Sequence, residues 1–307
     1  MNLRQIHNTL ISGRFTIIVF IVLVFVMRVY AQSDLKDIAF WSTLLLHFGI
    51  ALALLRANYL FAVIRTRTVL PTVFFLLMTT SSPMFYSEWK GSLAVAGAMI
   101  CTVFLFDSYQ KPESQTNALN IGLLLTLCSF VWAPIICLFP LFWIGFYSFK
   151  SLNFKTFFAS ITGVVVVWLF VFVWSIYNGG VQVFIDVFSA FGDILEIHPF
   201  TWNFREWIVF GFVLILVIIS GVNIFISGIS EKIRTETYLK KLFLASVSIA
   251  IALVLQSECH IWILLVYLPI SVILSHLFTL STRRATSWTL IFFIFFFLGI
   301  YIWRVFL

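Results

Sequence analysis

Long apolar runs separated by short polar clusters set the rhythm of this chain. Dividing it at those clusters leaves eleven stretches, near 15–31, 38–56, 69–83, 91–106, 118–133, 135–149, 157–177, 207–226, 242–256, 260–280 and 288–306. About 20 mainly apolar residues are needed to cross about 30 Å of hydrocarbon. In lipid a spanning segment must satisfy its own backbone, so each stretch is read as a helix, although several are short for a full crossing. One further segment follows a different period. Gln182, Asp186, Ser189, Asp193 and Glu196 share one helical face, while Phe184, Val187, Phe188, Phe191 and Leu195 line the opposite one. That pattern predicts an amphipathic helix near 181–197 lying in the membrane interface, with Gly179-Gly180 turning the chain before it and Pro199 ending it.

Composition sharpens this picture. Apolar residues make up 62% of the 307 positions and charged residues only 10%, against about 25% charged in an ordinary soluble domain. A soluble chain of this size must keep much of its surface wet, so the solvent here is a bilayer. The expected fold class is an all-α polytopic transmembrane bundle of about eleven spans. Residues 1–307 form one integral membrane domain in this reading, since no Pro-rich, Gly/Ser-rich or charged linker divides them.

Nineteen Lys and Arg against twelve Asp and Glu give a net charge of +7. The cations cluster in the short connections, where they set orientation and meet anionic head groups, so nucleic acid is not the expected partner. The run from Asn117 to Phe149 is broken only by Pro134 and Pro140 and is long enough for one crossing with a large surplus or for two. Charge decides between them. With a hairpin near Pro134, one side collects Arg4, Arg14, Arg56, Arg65, Arg67, Lys111, Lys150, Lys155, Lys232, Arg234, Lys240, Lys241, Arg283 and Arg284, fourteen of the nineteen cations. With a single crossing that side keeps eight, so the hairpin satisfies the positive-inside rule and places the N-terminus in the cytoplasm. The first span also imitates a secretory signal, with Val29-Tyr30-Ala31 as a small-residue cleavage site. Its length and Arg28 just before that site favour a retained anchor. The absence of any Asn-x-Ser/Thr acceptor agrees with a bacterial inner membrane. Cys101, Cys128, Cys137 and Cys259 are too scattered for a disulfide framework and read as small apolar fillers.

This topology puts eight of the twelve acids outside, among them Asp34, Asp37, Glu88, Asp186 and Glu258, together with His198 and His260. The acidic face around Asp186 would offer carboxylates to a divalent cation or to a substrate hydroxyl; a plain solvated face is the simpler explanation. The segment His198-Pro199-Phe200-Thr201-Trp202-Asn203-Phe204-Arg205-Glu206-Trp207 combines rings that stack on sugars with a guanidinium that clamps phosphate, although rings at this depth also serve as interfacial anchors. Asp34 and Asp37 follow Arg28 and Tyr30, which sets a carboxylate pair beside a cation at the surface. Asp37 also suits the N-cap of the second span. Glu258 and His260 flank Cys259, but no second Cys/His pair at ligand spacing accompanies them, so zinc is not expected. His47 and His276 interrupt apolar runs; a proton-coupled transporter would use them, but a hydrogen bond to a neighbouring helix explains them as well. Arg56, Arg65 and Arg67, and separately Lys232, Arg234, Lys240 and Lys241, are cationic clusters able to meet phosphate-bearing lipids. There is no P-loop, GxGxxG, HExxH or GxSxG motif, which removes the sequence support for nucleotide, dinucleotide and common hydrolase chemistry.

Leu55-Arg56-Ala57-Asn58, Arg65-Thr66-Arg67-Thr68-Val69-Leu70-Pro71, Ser82-Pro83, the stretch from Gly122 to Pro134, Lys150-Ser151-Leu152-Asn153-Phe154-Lys155 and Gly163 together resemble an uncharacterised family of bacterial polytopic inner-membrane proteins. That family in turn resembles, in helix order, the GT-C-type glycosyltransferases and polysaccharide polymerases that use polyprenyl-phosphate sugars outside the membrane. The resemblance implies a role in cell-envelope biogenesis on the periplasmic face. Asp34, Asp37 or Asp186 would then be the catalytic acids, with Trp202, Arg205 and His198 binding substrate. The first external loop, near Gln32 to Asp37, is too short for the extra helices such enzymes place there. Two rivals stand beside this reading: a non-enzymatic subunit docking other envelope proteins, and a lipid or solute transporter.

Overall fold

A computed structural model describes residues 10, 13–32, 36–178, 181–182, 184–185, 204–227, 232–255, 259–280 and 284–306. Among them are eleven α-helices, two 3₁₀ helices and no strand. The α-helices are α1 (Arg14–Ala31), α2 (Ile38–Phe61), α3 (Leu70–Thr80), α4 (Trp89–Asp107), α5 (Gln115–Ser129), α6 (Phe139–Ser148), α7 (Phe154–Asn178), α8 (Phe204–Ser227), α9 (Ile233–Leu255), α10 (Cys259–Leu280) and α11 (Arg284–Phe306). The 3₁₀ helices are Pro83–Phe85, after α3, and Ala133–Leu138, before α6. Among the described residues six helices are long and apolar enough to cross a membrane, within α2, α4, α7, α8, α10 and α11. Phe15–Ala31, Leu70–Thr80 and Ala133–Ser148 are shorter apolar helices. The chain is a helical membrane protein.

Two compact units divide it: Met1–Ser92 with Thr201–Ile251 and His260–Leu307, and Leu93–Phe200 with Ala252–Cys259. In the first unit α3 is the centre, with all eleven of its residues buried. Pro71 starts it without loss, because the first turn of a helix needs no amide donor there. Phe74 packs on Phe278 of α10 at 5.6 Å and on Phe293 of α11 at 4.7 Å, and Phe75 meets the His47 ring edge-on at 5.9 Å. At 1.5 Å per residue, α3 is only about 16 Å long. Protein wraps it on every side, so it need not match the bilayer alone. The surrounding helices turn apolar side chains outward: Phe15, Val19, Val22 and Val26 on α1, Ile215, Ile219 and Val222 on α8, and Phe292, Phe295 and Ile302 on α11. Such faces suit lipid.

The second unit is held by close helix crossings. A Cβ on Gly163 would sit 2.5 Å from the Leu119 carbonyl oxygen and 2.8 Å from the Leu123 amide nitrogen, and a Cβ on Gly122 would strike the Ser160 carbonyl. Both glycines are therefore required for α5 and α7 to touch backbone to backbone, the small-residue contact typical of membrane helices. The chain leaves and returns to one end between α5 and α6. The Ser114 hydroxyl donates to the Ser151 carbonyl at 3.2 Å, and the Gln110 amide donates to the Phe149 carbonyl at 3.0 Å. Pro134 opens the 3₁₀ turn between them, at the place expected for the hairpin.

One boundary differs informatively. Helix α9 starts nine residues ahead of the apolar stretch at 242, since Glu236 and Lys240 support the added turns through a 2.6 Å i,i+4 pair. Residues 183 and 186–203, most of the expected interfacial helix, lie outside the described residues. Phe184, from its apolar stripe, packs on Trp168 at 5.7 Å and on Phe172 at 5.2 Å.

Candidate functional site

Helix α1 carries Thr16, Phe20, Val24 and Arg28 at intervals of four, and all four are buried. Residues four apart lie on one helical face, so the period that buries Phe20 and Val24 also carries Arg28 inward. This corrects the expectation that Arg28 stands at the surface beside Asp34 and Asp37: its exposure is 0%.

The guanidinium is held by neutral groups. Its Nη2 lies 2.6 Å from His47 Nδ1, and its Nε donates to the Thr80 hydroxyl at 3.3 Å. Arginine has no acceptor, so Nη2 donates and His47 Nδ1 accepts. The other ring nitrogen, Nε2, lies 3.0 Å from the Ser92 hydroxyl, which in turn donates to the Glu88 carbonyl at 2.8 Å. With Nδ1 accepting, Nε2 carries the hydrogen of the neutral ring and donates to Ser92. The chain therefore runs in one direction, from Arg28 through His47 and Ser92 to the backbone. The Arg28 guanidinium carbon also lies 5.1 Å from the centre of the Tyr86 ring. Its Nη1 has no hydrogen-bond partner among the described residues, and no carboxylate there pairs with it.

Around this centre several helix ends converge. The Tyr86 hydroxyl donates to the Thr80 carbonyl at 2.7 Å, and the Thr43 hydroxyl donates to the Tyr86 carbonyl. Burial pushes the Tyr86 phenol well above its usual range, while Arg28 and Arg304 pull the other way. Arg304, on the last turn of α11, donates from Nη1 to the Ser82 hydroxyl and, at 3.3 Å, to the Ser81 carbonyl. The Tyr301 hydroxyl donates to the Met27 carbonyl at 2.6 Å, joining α1 and α11 near their C-terminal ends. At the rim, His260 and Glu88 approach to 3.4 Å, at the starts of α10 and α4.

Of the six residues singled out in the sequence as catalytic or substrate-binding, Asp37 has a described side chain. Its Oδ1 accepts from the Ala39 amide at 2.9 Å and its Oδ2 accepts from the Ser87 hydroxyl at 2.9 Å, so it is the N-cap of α2, as one of its two readings required. Asp34, Asp186, His198 and Trp202 lie outside the described residues. Arg205 belongs to the first turn of α8, with its side chain outside them. His47 is hydrogen-bonded to neighbouring helices, again one of its two readings. His276 is buried on α10, and both of its ring nitrogens are without partners among the described residues.

Sequence reasoning passed over Thr80, Tyr86, Ser92 and Arg304. One signal for them was present: Thr79-Thr80-Ser81-Ser82 is a polar run at the end of an apolar stretch, and a buried polar run must find partners. Among the described residues no group of three or more His, Cys, Asp or Glu is placed to hold a metal ion. In comparison with known proteins, the chain matches no family model and no curated sequence.

Proposed function

We propose that this is a multi-pass bacterial inner-membrane protein of cell-envelope biogenesis that binds a polyprenyl-phosphate-linked saccharide at its periplasmic face. Eleven crossings with a cytoplasmic N-terminus are part of the reading. Parity supports them: a Cβ on Gly91 would sit 3.1 Å from Ile261, so α4 and α10 begin at the same end of the first unit. Only an even number of crossings returns the chain to that end. Counting α4 to α9 gives six when the short α6 is a return crossing, in agreement with the cation distribution.

The observation that carries the function is Arg28. A buried charge costs several kcal/mol unless it is well paired, and among the described residues this one has only neutral partners and a bare Nη1. A phosphate group arriving there would meet the half-buried Arg304 first, with the buried Ser82 hydroxyl and the Arg28 charge beneath. Guanidinium forks suit phosphate in shape as well as charge. Of the three acids proposed for transfer, Asp37 has its oxygens engaged by Ala39 and Ser87, which leaves Asp34 and Asp186 as the candidates for any transfer step. His47 accepts from Arg28 in this arrangement and serves to orient it, which disfavours the transporter reading. The test is lipid mass spectrometry on full-length protein purified in mild detergent. Polyprenyl-phosphate species should copurify with the wild type and fall away in Arg304→Gln and Arg28→Gln proteins of unchanged fold. Equal retention in all three, or no such lipid on any, would overturn the reading.

A further inference from the structure

At the opposite end of α2 from Arg28, two cationic segments about 170 residues apart in the chain come together. The Thr235 hydroxyl, at the start of α9, donates to the Ala62 carbonyl at 3.3 Å, and Tyr238 meets Phe61 edge-on at 6.4 Å. The loop after α2 is a built structure. Asn58 Oδ1 accepts from the Ile64 amide at 2.9 Å, and Val63 and Ile64 are buried as a plug, which leaves Arg65 and Arg67 exposed. Two guanidiniums are laid against rings: Arg67 lies 5.6 Å from the centre of Tyr59, and Arg234 lies 5.4 Å from that of Tyr238 while its Nε donates to the Tyr238 hydroxyl at 2.9 Å. Residues 62–69 and 231–241 hold six cations against two acids, Glu231 and Glu236. Glu236 is engaged by Lys240 at 2.6 Å.

Beside these cations the same end exposes apolar side chains, among them Leu60 at 56% and Ile233 at 76%. Charge alone would suit any acidic partner. Cations joined to an exposed apolar rim, at the ends of helices whose outer faces are apolar, suit an amphiphile: a phosphodiester on Arg67 and Arg234 and acyl chains along Leu60 and Ile233. We infer that the loop after α2 and the start of α9 form a binding site for an anionic phospholipid headgroup. This inference stands apart from the proposal at the other end of the bundle and survives its failure.

Binding of phosphatidylglycerol to the full-length protein in neutral detergent, followed by native mass spectrometry, tests it. A cation near a membrane surface contributes about fivefold in affinity, so Arg67→Gln/Arg234→Gln should bind about 25-fold more weakly. Lys111→Gln, in the other unit, should bind as the wild type does. Arg67→Lys/Arg234→Lys should retain most of the affinity, which separates loss of charge from a folding defect. Three results would each overturn the inference: undiminished binding by the double glutamine variant, equal binding of phosphatidylcholine, or displacement of the lipid by a millimolar excess of inorganic phosphate, which would mark a site for soluble oxyanions.

Discussion

If Arg28 is kept for a ligand, the folded protein should be more comfortable without it. The guanidinium is completely buried, and its partners are an imidazole nitrogen at 2.6 Å, a hydroxyl at 3.3 Å and a ring face. None carries a negative charge. Arg28→Met relieves a desolvation penalty of several kcal/mol but leaves His47 Nδ1 without its donor at a cost of about 1–3 kcal/mol, so the net effect should lie between neutral and stabilising. Removing its neighbour should do the reverse. His47→Leu strips the acceptor from Nη2, while the Ser92 hydroxyl keeps the Glu88 carbonyl; one buried polar group left unsatisfied costs about 1–3 kcal/mol, and a charged one lies at the upper end, so a loss of about 3 kcal/mol follows. Combining the two removes the orphaned guanidinium as well. The double variant should therefore recover stability beyond additivity, with a coupling of about 0.5–3 kcal/mol. Reversible unfolding of the purified chain in mixed micelles, completed as a double-mutant cycle, measures all three. If Arg28→Met is as destabilising as His47→Leu, Arg28 is a structural pin between α1, α2 and α3, and the argument for an anionic ligand fails.

Two other outcomes follow from the packing and the cap. Gly163→Val inserts side-chain atoms where a Cβ already meets the Leu119 carbonyl at 2.5 Å; overpacking of this kind costs about 1–3 kcal/mol, and thermal unfolding should show the second unit weakened while Gly211→Ala, which has open space, is mild. Asp37→Ala removes the acceptor for the Ala39 amide and should cost about 1 kcal/mol of stability. Asp37→Asn keeps a capping oxygen and should leave both stability and lipid retention near wild type; loss of retention with stability intact would instead give Asp37 a chemical role.

Much of the architecture was legible because lipid enforces a simple code. Apolar stretches near 38–56, 260–280 and 288–306 became helices α2, α10 and α11, and the break at Pro134 became a 3₁₀ turn with the chain returning beyond it. What the code does not say is which helix faces lipid. The stretch at 69–83 looks like any other span, yet α3 within it is enclosed on all sides and only eleven residues long. The polar centre was hidden for a related reason. Arg28, His47, Thr80 and Ser92 each look like an isolated interruption in an apolar run, and they meet only through contacts spanning 19 to 52 positions. The four-residue interval from Thr16 to Arg28 was the one local hint that the cation turns inward. The basic clusters were visible separately, but the Thr235 to Ala62 contact that unites two of them is tertiary.

Both proposed sites require the Arg28 centre and the loop after α2 to lie at opposite faces of the bilayer. In a chain whose four cysteines have been replaced, Ser87→Cys and Thr66→Cys each supply a single thiol at one of those ends. Reaction with a membrane-impermeant maleimide should label position 87 in intact spheroplasts and position 66 only after lysis. Labelling of both from the same side, or of position 66 alone in intact spheroplasts, would contradict that placement.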